Sequence, residues 1–296
     1  MTEPERIHKQ YLWVTSASAA VLLLLFVFFL IAVCSNGVAP QNVRLDKGWT
    51  VTYKGEKTGV GSLVNYTFPK KLMRGDSLIL ENRISAIQLA HPIFRFRTVH
   101  SAVEVFENGK SVYEYGGDRD FPGCGYHHVH LSHGENQKLK LVLVNKIDNR
   151  KITISKYELF SEEYAVSDYS SRHIFALVIG IFLILFGVLA VLVGAVMRIY
   201  GVNYFRLSMI GVFSFTFGTW TMCYTKLIQI VSYNLTLNTT LEYICLYFSP
   251  IPFTLLLWNM QRTRLSQSKT WVMKFLVAYE VAYLAVSSVL HFTGLL

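Results

Sequence analysis

The chain has 296 residues, of which 52% are hydrophobic and only 16% are charged. Soluble domains usually carry about 25% charged residues, so this composition argues against a wholly soluble protein. The formal net charge of +9 would suit nucleic acid, but outside the middle of the chain the basic residues lie mostly at the ends of apolar segments. That distribution is typical of membrane topology, and without a basic face carrying interleaved aromatic residues no nucleic-acid partner is expected.

The first predicted element is a membrane anchor. Residues 1–11 are polar and form a predicted cytoplasmic N-terminus, and residues 12–34 contain the apolar run VLLLLFVFFLIAV. About 20 apolar residues are enough to span the hydrocarbon core as a helix. Because the run exceeds the roughly 7–15 apolar residues of a cleaved signal peptide, we expect an uncleaved signal-anchor helix, with cleavage or acylation at Cys34 as the alternative.

Residues 35–171 are predicted to form an extracytoplasmic, β-rich domain. Lys138–Val144 alternates apolar and polar residues, as a half-buried strand does. Asn108-Gly109 lies between two apolar runs and predicts a hairpin with a type I′ turn, because both turn residues tolerate positive φ. Turn residues recur about every 8–12 positions, which indicates an antiparallel β-sandwich. Further predicted strands are Leu78–Leu80, Ile93–Val99 and Lys151–Phe160.

Four apolar segments after the sandwich predict a bundle of transmembrane helices. Basic residues accumulate in loops that stay in the cytoplasm, and the loop 232–240 has none. The expected topology therefore has the N-terminus in the cytoplasm, and residues 35–171 and the C-terminus outside it. The predicted spans are 173–197, 207–231, 241–260 and 271–293, and the basic loop residues are Arg198, Arg206, Arg262, Arg264 and Lys269.

Ionisable residues and prolines within these spans are candidates for function. Glu280 falls near the middle of the last span, where a carboxylate is costly and usually faces the bundle interior. A single hydrogen bond between helices is the simpler interpretation. Pro250 and Pro252 should kink the fourth helix of the chain. Lys226 lies nearer the outer end of its helix and is expected to snorkel.

Other motifs in the middle domain are weaker indications of a functional site. The segment YGGDRDF, residues 115–121, superficially matches the GGDEF signature of diguanylate cyclases, but a glycine-rich turn explains it better. His128 and His130 would share one face of a strand and are weak candidates for a zinc site, although no metal is expected. With four scattered cysteines and no CxxC, neither a disulfide framework nor a cofactor is indicated.

The order of several segments resembles a known receptor family. They include DKGWTV at residues 46–51, GDSLIL at 75–80, FRFRTVHSAVEVFENGKSVYEYG at 94–116, GYHHVHL at 125–131 and LEYICLYFSPIPF at 241–253. Together these segments are similar to the sensory halves of bacterial seven-transmembrane receptors with diverse intracellular signalling modules, as in clostridial membrane-bound GGDEF proteins. The resemblance implies a jelly-roll sandwich of the galactose-binding type above a helix bundle that signals to a cytoplasmic output domain.

The chain departs from that family at its C-terminal end, with four helices after the sandwich and no output domain. We therefore expect a truncated or partner-dependent, non-enzymatic sensor module of the cell membrane. Its expected partners are the lipid bilayer, a small carbohydrate or peptide ligand and a cytoplasmic or membrane signalling protein. Aromatic candidates for ligand stacking are Trp49, Tyr113, Tyr115 and Tyr126, although strand aromatics are more often core residues. A transporter or channel subunit and a structural envelope protein are the alternatives.

Overall fold

The computed structural model describes residues 42–63, 66–87, 89, 91–148, 152–154, 157–261 and 267–293. The predicted cytoplasmic segment 1–11 and the anchor helix 12–34 lie outside the described residues. The described chain divides into an antiparallel β-rich part followed by helices. The β-strands are β1 Asn42–Arg44, β2 Trp49–Tyr53, β3 Glu56–Val60, β4 Tyr66–Thr67, β5 Ser77–Ile87, β6 Pro92–Val99, β7 Ser101–Glu107, β8 Lys110–Tyr115, β9 Cys124–His130, β10 Gly134–Asn145, β11 Thr153–Ile154 and β12 Glu158–Ser161.

Two large sheets pack across one hydrophobic core. The first has six strands in the order β3-β2-β5-β10-β7-β8, and the second has four in the order β1-β12-β6-β9, while β4 and β11 form a small separate pair. Alternation decides which side chains enter the core: Phe94 and Phe96 of β6 are fully buried, and Leu80 and Leu141 of the six-stranded sheet belong to the same cluster. The predicted antiparallel, sandwich-like arrangement of sheets is therefore confirmed.

The predicted hairpin is also present. β7 and β8 pair through a two-residue turn in which Asn108 has φ 51° and Gly109 has φ 85°. Both residues are left-handed, as a type I′ turn requires. Asn108 adds a side-chain contact, because its Oδ1 accepts a hydrogen bond from the backbone N–H of Lys138 at 2.9 Å. That bond fastens the turn to β10, the neighbouring strand in the sheet.

The helices begin before the predicted end of the sandwich. Residues 162–172, assigned to the sandwich from sequence, form a helix that carries the chain from β12 toward the first apolar helix. The helices are α1 Glu162–Arg172, α2 Ile174–Ile199, α3 Phe205–Tyr224, α4 Leu235–Phe248, α5 Pro250–Gln261 and α6 Gln267–Phe292, with a short 3-10 helix at Leu227–Ile230.

Two predicted spans are interrupted in the structure. The segment 207–231 ends its α-helix at Tyr224, and Lys226 then adopts a left-handed conformation with φ 64° before the 3-10 helix begins. The segment 241–260 begins earlier, at Leu235, and breaks at Ser249, because Pro250 lacks the N–H that would continue the helix. The break agrees with the kink expected from the prolines.

Among the described residues, three helical segments are long and apolar enough to cross a membrane: Ile174–Ile199, Leu235–Gln261 and Lys269–His291. Helix α3 is not among them, because it carries several hydroxyl residues. The hydroxyls of Thr216, Thr219 and Thr221 donate to backbone carbonyls of their own helix, which satisfies them without solvent. The membrane crossing expected of 207–231 stays a prediction.

Helices α2 and α3 approach each other through glycines. Gly180, Gly187 and Gly194 recur every seven residues along α2, and Gly211 and Gly218 face them from α3. A Cβ on Gly187 would lie 2.5 Å from the backbone nitrogen of Phe215, closer than any side chain allows. Small residues permit such close backbone contact, which is the usual way apolar helices associate in lipid.

Candidate functional site: the sandwich–helix junction

The sandwich rests on the helices through a buried ionic cluster around Arg95. Arg95 lies on the outer face of β6, and its side chain is only 4% exposed. Its Nη2 donates to Glu158 of β12 at 3.0 Å and to Asp168 of α1 at 2.8 Å. Arg172 completes the cluster, since its Nε donates to Asp168 at 2.9 Å. The cluster therefore ties two strands to the helix that leads into α2.

Aromatic rings enclose this cluster. The Arg95 guanidinium lies 4.1 Å from the ring centroid of Phe160 and 5.7 Å from that of Tyr169. Such stacking favours a planar, weakly hydrated cation such as arginine. Burial raises the pKa of the Tyr169 hydroxyl, which donates to the backbone carbonyl of Thr225 at the end of α3. One side chain thus connects α1, the ionic cluster and the α3 terminus.

A second contact covers the free edge of the four-stranded sheet. β9 is the last strand of that sheet, so one row of its backbone groups has no strand partner. Gln229, in the 3-10 helix, accepts from the N–H of Tyr126 and donates to its carbonyl, both at 2.9 Å. Thr239 of α4 similarly accepts from the N–H of Cys124 at 2.8 Å. Two side chains thereby replace the missing strand.

Glycine makes this approach possible. A Cβ on Gly125 would lie 2.6 Å from Leu235 Cδ2 and 2.9 Å from Gln229 Oε1. A Cβ on Gly123 would collide with the Leu235 carbonyl, and Gly123 also has φ 82°. The sequence Gly-Cys-Gly at the start of β9 is therefore required by the close packing of α4 on the strand.

Further contacts reach the same end of the helices. Arg119, in the loop before β9, donates to Thr236 Oγ1 at 3.1 Å. The His291 ring, at the end of α6, lies 6.0 Å from the ring of His100 and 5.1 Å from that of Phe121. The start of α2, the α3–α4 connection and the end of α6 therefore all meet the sandwich.

Lys226 is part of this junction. The prediction that its side chain snorkels is wrong. Its side chain is 4% exposed and forms an ion pair with Glu242 of α4. The left-handed backbone at Lys226 turns the side chain inward, so the charge is neutralised by a carboxylate and not by solvent. The pair joins the α3 terminus to α4 directly behind Gln229.

The four aromatic candidates for ligand stacking lie in three different places. Trp49 is 1% exposed and packs edge-to-face on Tyr157 in the core. Tyr113 and Tyr115 surround His127 on the inner side of β9, with ring centroids 5.6 Å and 5.3 Å away. Tyr126 lies at the junction, against Tyr169. The structure therefore brings only Tyr113 and Tyr115 together, and ligand binding by any of the four stays a prediction.

His127 is held neutral in the core. Its Nε2 lies 2.6 Å from Thr98 Oγ1 and its Nδ1 lies 2.9 Å from the Tyr113 hydroxyl. Burial lowers the pKa of His127 to about 3 and raises that of Tyr113 to about 12. Both groups therefore stay uncharged at neutral pH, which suits a site enclosed by aromatic rings.

The two weak metal candidates share the outer face of β9, as expected. His128 is partly buried beside Tyr233, whereas His130 is exposed. Burial lowers the pKa of His128 to about 4, with a smaller contribution from Arg95. Within the described residues no group of three metal-ligating side chains is close enough to hold an ion.

Glu280, the carboxylate predicted to lie within the membrane, is placed between two helices. Glu280 of α6 accepts a hydrogen bond from Thr254 of α5 at 2.7 Å. Its second oxygen, Oε2, is buried with no hydrogen-bond partner among the described residues. The contact corresponds to the simpler interpretation made from the sequence, a single hydrogen bond between helices.

Sequence reasoning named Tyr126 and Lys226, but for other roles, and it missed the junction itself. Arg95 alternates with Phe94 and Phe96, but no local pattern reveals the partners of its side chain. Gln229 gave no signal, because a single polar residue at a helix end is ordinary. The paired glycines around Cys124 were the one available sign that another segment approaches the backbone there.

Comparisons with known proteins leave the family open. No protein-family model and no curated protein matches the chain. Partial structural matches include a GH2 β-galacturonidase from Eisenbergiella tayi, at TM-score 0.27 and 13% identity over 42% of this chain and 25% of that one. A GH31 α-xylosidase from Xanthomonas citri matches at TM-score 0.25 and 13% identity over 45% of this chain and 20% of that one.

A smaller protein matches over almost its whole length. It is the CBM36-1 domain of a multidomain xylanase from the hindgut metagenome of Trinervitermes trinervoides, at TM-score 0.21 and 13% identity, covering 38% of this chain and 96% of that one. The chain thus spans only a quarter or less of the two glycoside hydrolases.

Proposed function

We propose that the chain is a receptor-like sensor module of the cell membrane. Its β-sandwich lies outside the cytoplasm, has a jelly-roll arrangement, binds a small ligand and passes the change to the helices. The observation that carries the proposal is the junction, where Arg95 bonds to α1 just before α2 and Gln229 bonds to β9 just after α3, so that both contacts hold the same end of the α2–α3 pair. A passive tether would need no such buried polar fastening.

The arrangement of contacts supports the proposed topology. The start of α2, the α3–α4 connection and the end of α6 all meet the sandwich, so the opposite helix ends must face the other side. Those opposite ends carry Arg198, Arg206 and Lys269, as cytoplasmic loops do. The proposal therefore has four crossings after the sandwich, with the C-terminus on the sandwich side.

Signal transfer follows from population shift. A ligand changes the helices only if it binds one packing of sandwich and bundle better than another. The contacts most sensitive to relative position are those of Gln229, because both of its hydrogen bonds go to one backbone residue, Tyr126. A small displacement of β9 therefore breaks two bonds together.

The experiment measures transfer across the molecule. The full chain, with Cys34 replaced by serine, carries a fluorophore on cysteine at Val202→Cys, in the loop between α2 and α3, while Cys124, Cys223 and Cys245 are buried. Panels of sugars and short peptides are first screened for binding by thermal shift in lipid nanodiscs. A binder is expected to change the emission of the distant fluorophore.

The Gln229→Leu variant tests the route. It should bind the same compound but lose the change in emission, whereas Gln261→Leu, at an exposed position on α5, should keep both. A compound that binds the sandwich without any change at Val202 would refute sensing. A chain that lacks the sandwich but still responds to the compound would refute it equally.

The resemblance to bacterial seven-transmembrane receptors extends the proposal to a signalling partner in the membrane or cytoplasm. No enzymatic activity is proposed. A structural envelope role would instead show a stable protein partner and no small-molecule ligand.

Transport is a second candidate because of one contact. The Glu280–Thr254 pair lies beside the helix break at Ser249, and broken helices near paired polar groups form substrate sites in transporters. Ion or solute flux in reconstituted vesicles that disappears in Glu280→Gln would support transport. Absence of flux in the wild-type protein would reject it.

A further inference from the structure

A cleft opens at the end of the bundle opposite the sandwich. It has a volume of about 750 Å³, which is within the usual size of small-ligand sites. Its walls come from the segment before α3, from α5 and from the first turns of α6. The lining residues include Asn203, Phe205, Trp258, Asn259, Thr270 and Lys274.

The polar groups in this cleft favour a negatively charged ligand. Lys274 supplies a cation, and Asn259 accepts a hydrogen bond from Arg206 Nε at 3.0 Å, which holds a second cation beside the wall. The indole Nε1 of Trp258 is buried and has no hydrogen-bond partner among the described residues. The sequence contains no Asp or Glu in residues 198–206 or 255–274, so nothing acidic from these segments competes for the cations.

Helix direction adds to this preference. α3 begins at Phe205 and α6 begins at Gln267, so both helices point their N-terminal ends toward the cleft. Helix N-termini carry partial positive charge and free N–H groups, which attract anions. The partial positive charge of the two helix ends adds to the attraction for anions that Lys274, Arg206 and the Trp258 indole N–H provide.

The apolar part of the cleft identifies the source of the anion. Phe205 and Leu255 line it together with the ring of Trp258, and these surfaces suit the glycerol and first acyl carbons of a lipid. Tryptophan is enriched at the membrane–water boundary for the same reason. Basic pockets between helices on the cytoplasmic side are suited to anionic headgroups.

We propose that this cleft binds the phosphate-bearing headgroup of an anionic phospholipid. Lys274 and Arg206 face the phosphate, the Trp258 indole donates to it, and Phe205 and Leu255 contact the glycerol and acyl carbons. The proposal rests on insertion of the helices in a membrane and is independent of ligand sensing by the sandwich.

The test is lipid binding by the full chain in a neutral detergent. Short-chain phosphatidylglycerol, the matched phosphatidylcholine and inorganic phosphate are titrated separately, and bound adducts are counted by native mass spectrometry. The wild-type protein is expected to bind phosphatidylglycerol about fivefold more tightly than phosphatidylcholine, since one lysine near a headgroup contributes about that factor.

Three variants distinguish binding in the cleft from general electrostatic attraction. Lys274→Gln should weaken phosphatidylglycerol binding about fivefold. Lys269→Gln removes the same charge from the same helix, about 140° around its axis and outside the cleft, and should leave binding within about twofold. Trp258→Phe keeps an aromatic ring but removes the indole N–H, so it should weaken binding of the charged lipid more than binding of the zwitterionic one.

Several results would overturn the proposal. Equal binding of the two lipids would mean that headgroup charge is not recognised. Inorganic phosphate that binds as tightly as phosphatidylglycerol would make this a site for free anions. Equal effects of Lys274→Gln and Lys269→Gln would place recognition outside the cleft. The fluorescence experiment at Val202 tests sensing by the sandwich, and its outcome is independent of these three results.

Discussion

Replacing Arg95 with methionine should destabilise the protein strongly. The change keeps a long side chain but removes the cation between Glu158 and Asp168, which are 5% and 1% exposed. Breaking a buried ion pair from one side costs about 3–5 kcal/mol, because the remaining charge stays buried. Arg172 still contacts both carboxylates but is 37% exposed, so it offsets only part of this loss of stability.

The loss should depend on pH in a defined direction. Burial, and after it the nearby Arg95 cation, lower the pKa of His128 to about 4, so the wild-type fold loses stability in acid, where the unfolded chain protonates this histidine more readily. Removal of Arg95 lifts part of this effect. The variant should therefore lose less stability on acidification than the wild type, and its deficit should be larger at pH 7 than in acid.

The assay is chemical denaturation of the full chain in detergent, followed by tryptophan fluorescence at pH 7 and at about pH 4.5, which is below the pKa of histidine in an unfolded chain. Arg97→Met is the matched control, because Arg97 lies two residues along the same face of β6 and is exposed. It should change the free energy of unfolding by no more than about 0.5 kcal/mol. Equal deficits at both pH values, or an Arg95→Met loss as small as the control, would refute the reasoning.

Three further predictions concern other parts of the fold. Gly187→Leu should force α2 and α3 apart and cost at least about 2 kcal/mol in unfolding measurements, whereas Val188→Leu on the exposed side of α2 should cost little. Acidification from pH 7 to pH 5 should lower the free energy of unfolding by about 2 kcal/mol through His127. The folded state keeps this histidine neutral because its folded pKa is low, whereas the unfolded chain takes up a proton there below about pH 6.5. A His127→Gln variant should lose this part of the pH dependence, and His130→Gln should keep it. Gly109→Val should cost about 1–3 kcal/mol because a β-branched residue resists φ 85°, whereas Gly59→Val, with ordinary φ, should be nearly neutral; equal denaturation midpoints for the two variants would contradict this reasoning.

Local patterns were sufficient for most of the β-rich part. Alternation identified β10, and the Asn108-Gly109 pair between two apolar runs identified the β7–β8 hairpin, because these signals depend only on neighbouring residues. Helix α1 was missed although Ser161, Glu162 and Glu163 form an ordinary helix start. Its buried stripe includes the charged Asp168, so the apolar periodicity that normally reveals a helix is absent.

The junction could not be predicted because its partners are far apart along the chain. Arg95 and Asp168 are 73 residues apart, and Gln229 and Tyr126 are 103 residues apart. Periodicity shows which face of a strand or helix is buried, but it does not show which distant residue lies opposite. The same limit applies to the cleft, where α5 and α6 meet only after the bundle forms.

The geometry of β9 determines what kind of movement the junction can transmit. The backbone groups that point out of the sheet edge belong to every second residue, here Cys124 and Tyr126, since neighbouring residues point toward β6. A shift by one residue would leave Gln229 and Thr239 facing groups already bonded within the sheet. Only a shift by two residues, about 7 Å along the strand, would restore both contacts. Under the proposed function, the helices would therefore respond to ligand either by small rotations that keep the bonds or by a discrete step that replaces them, and a graded slide is excluded because its intermediate positions leave buried polar groups unpaired.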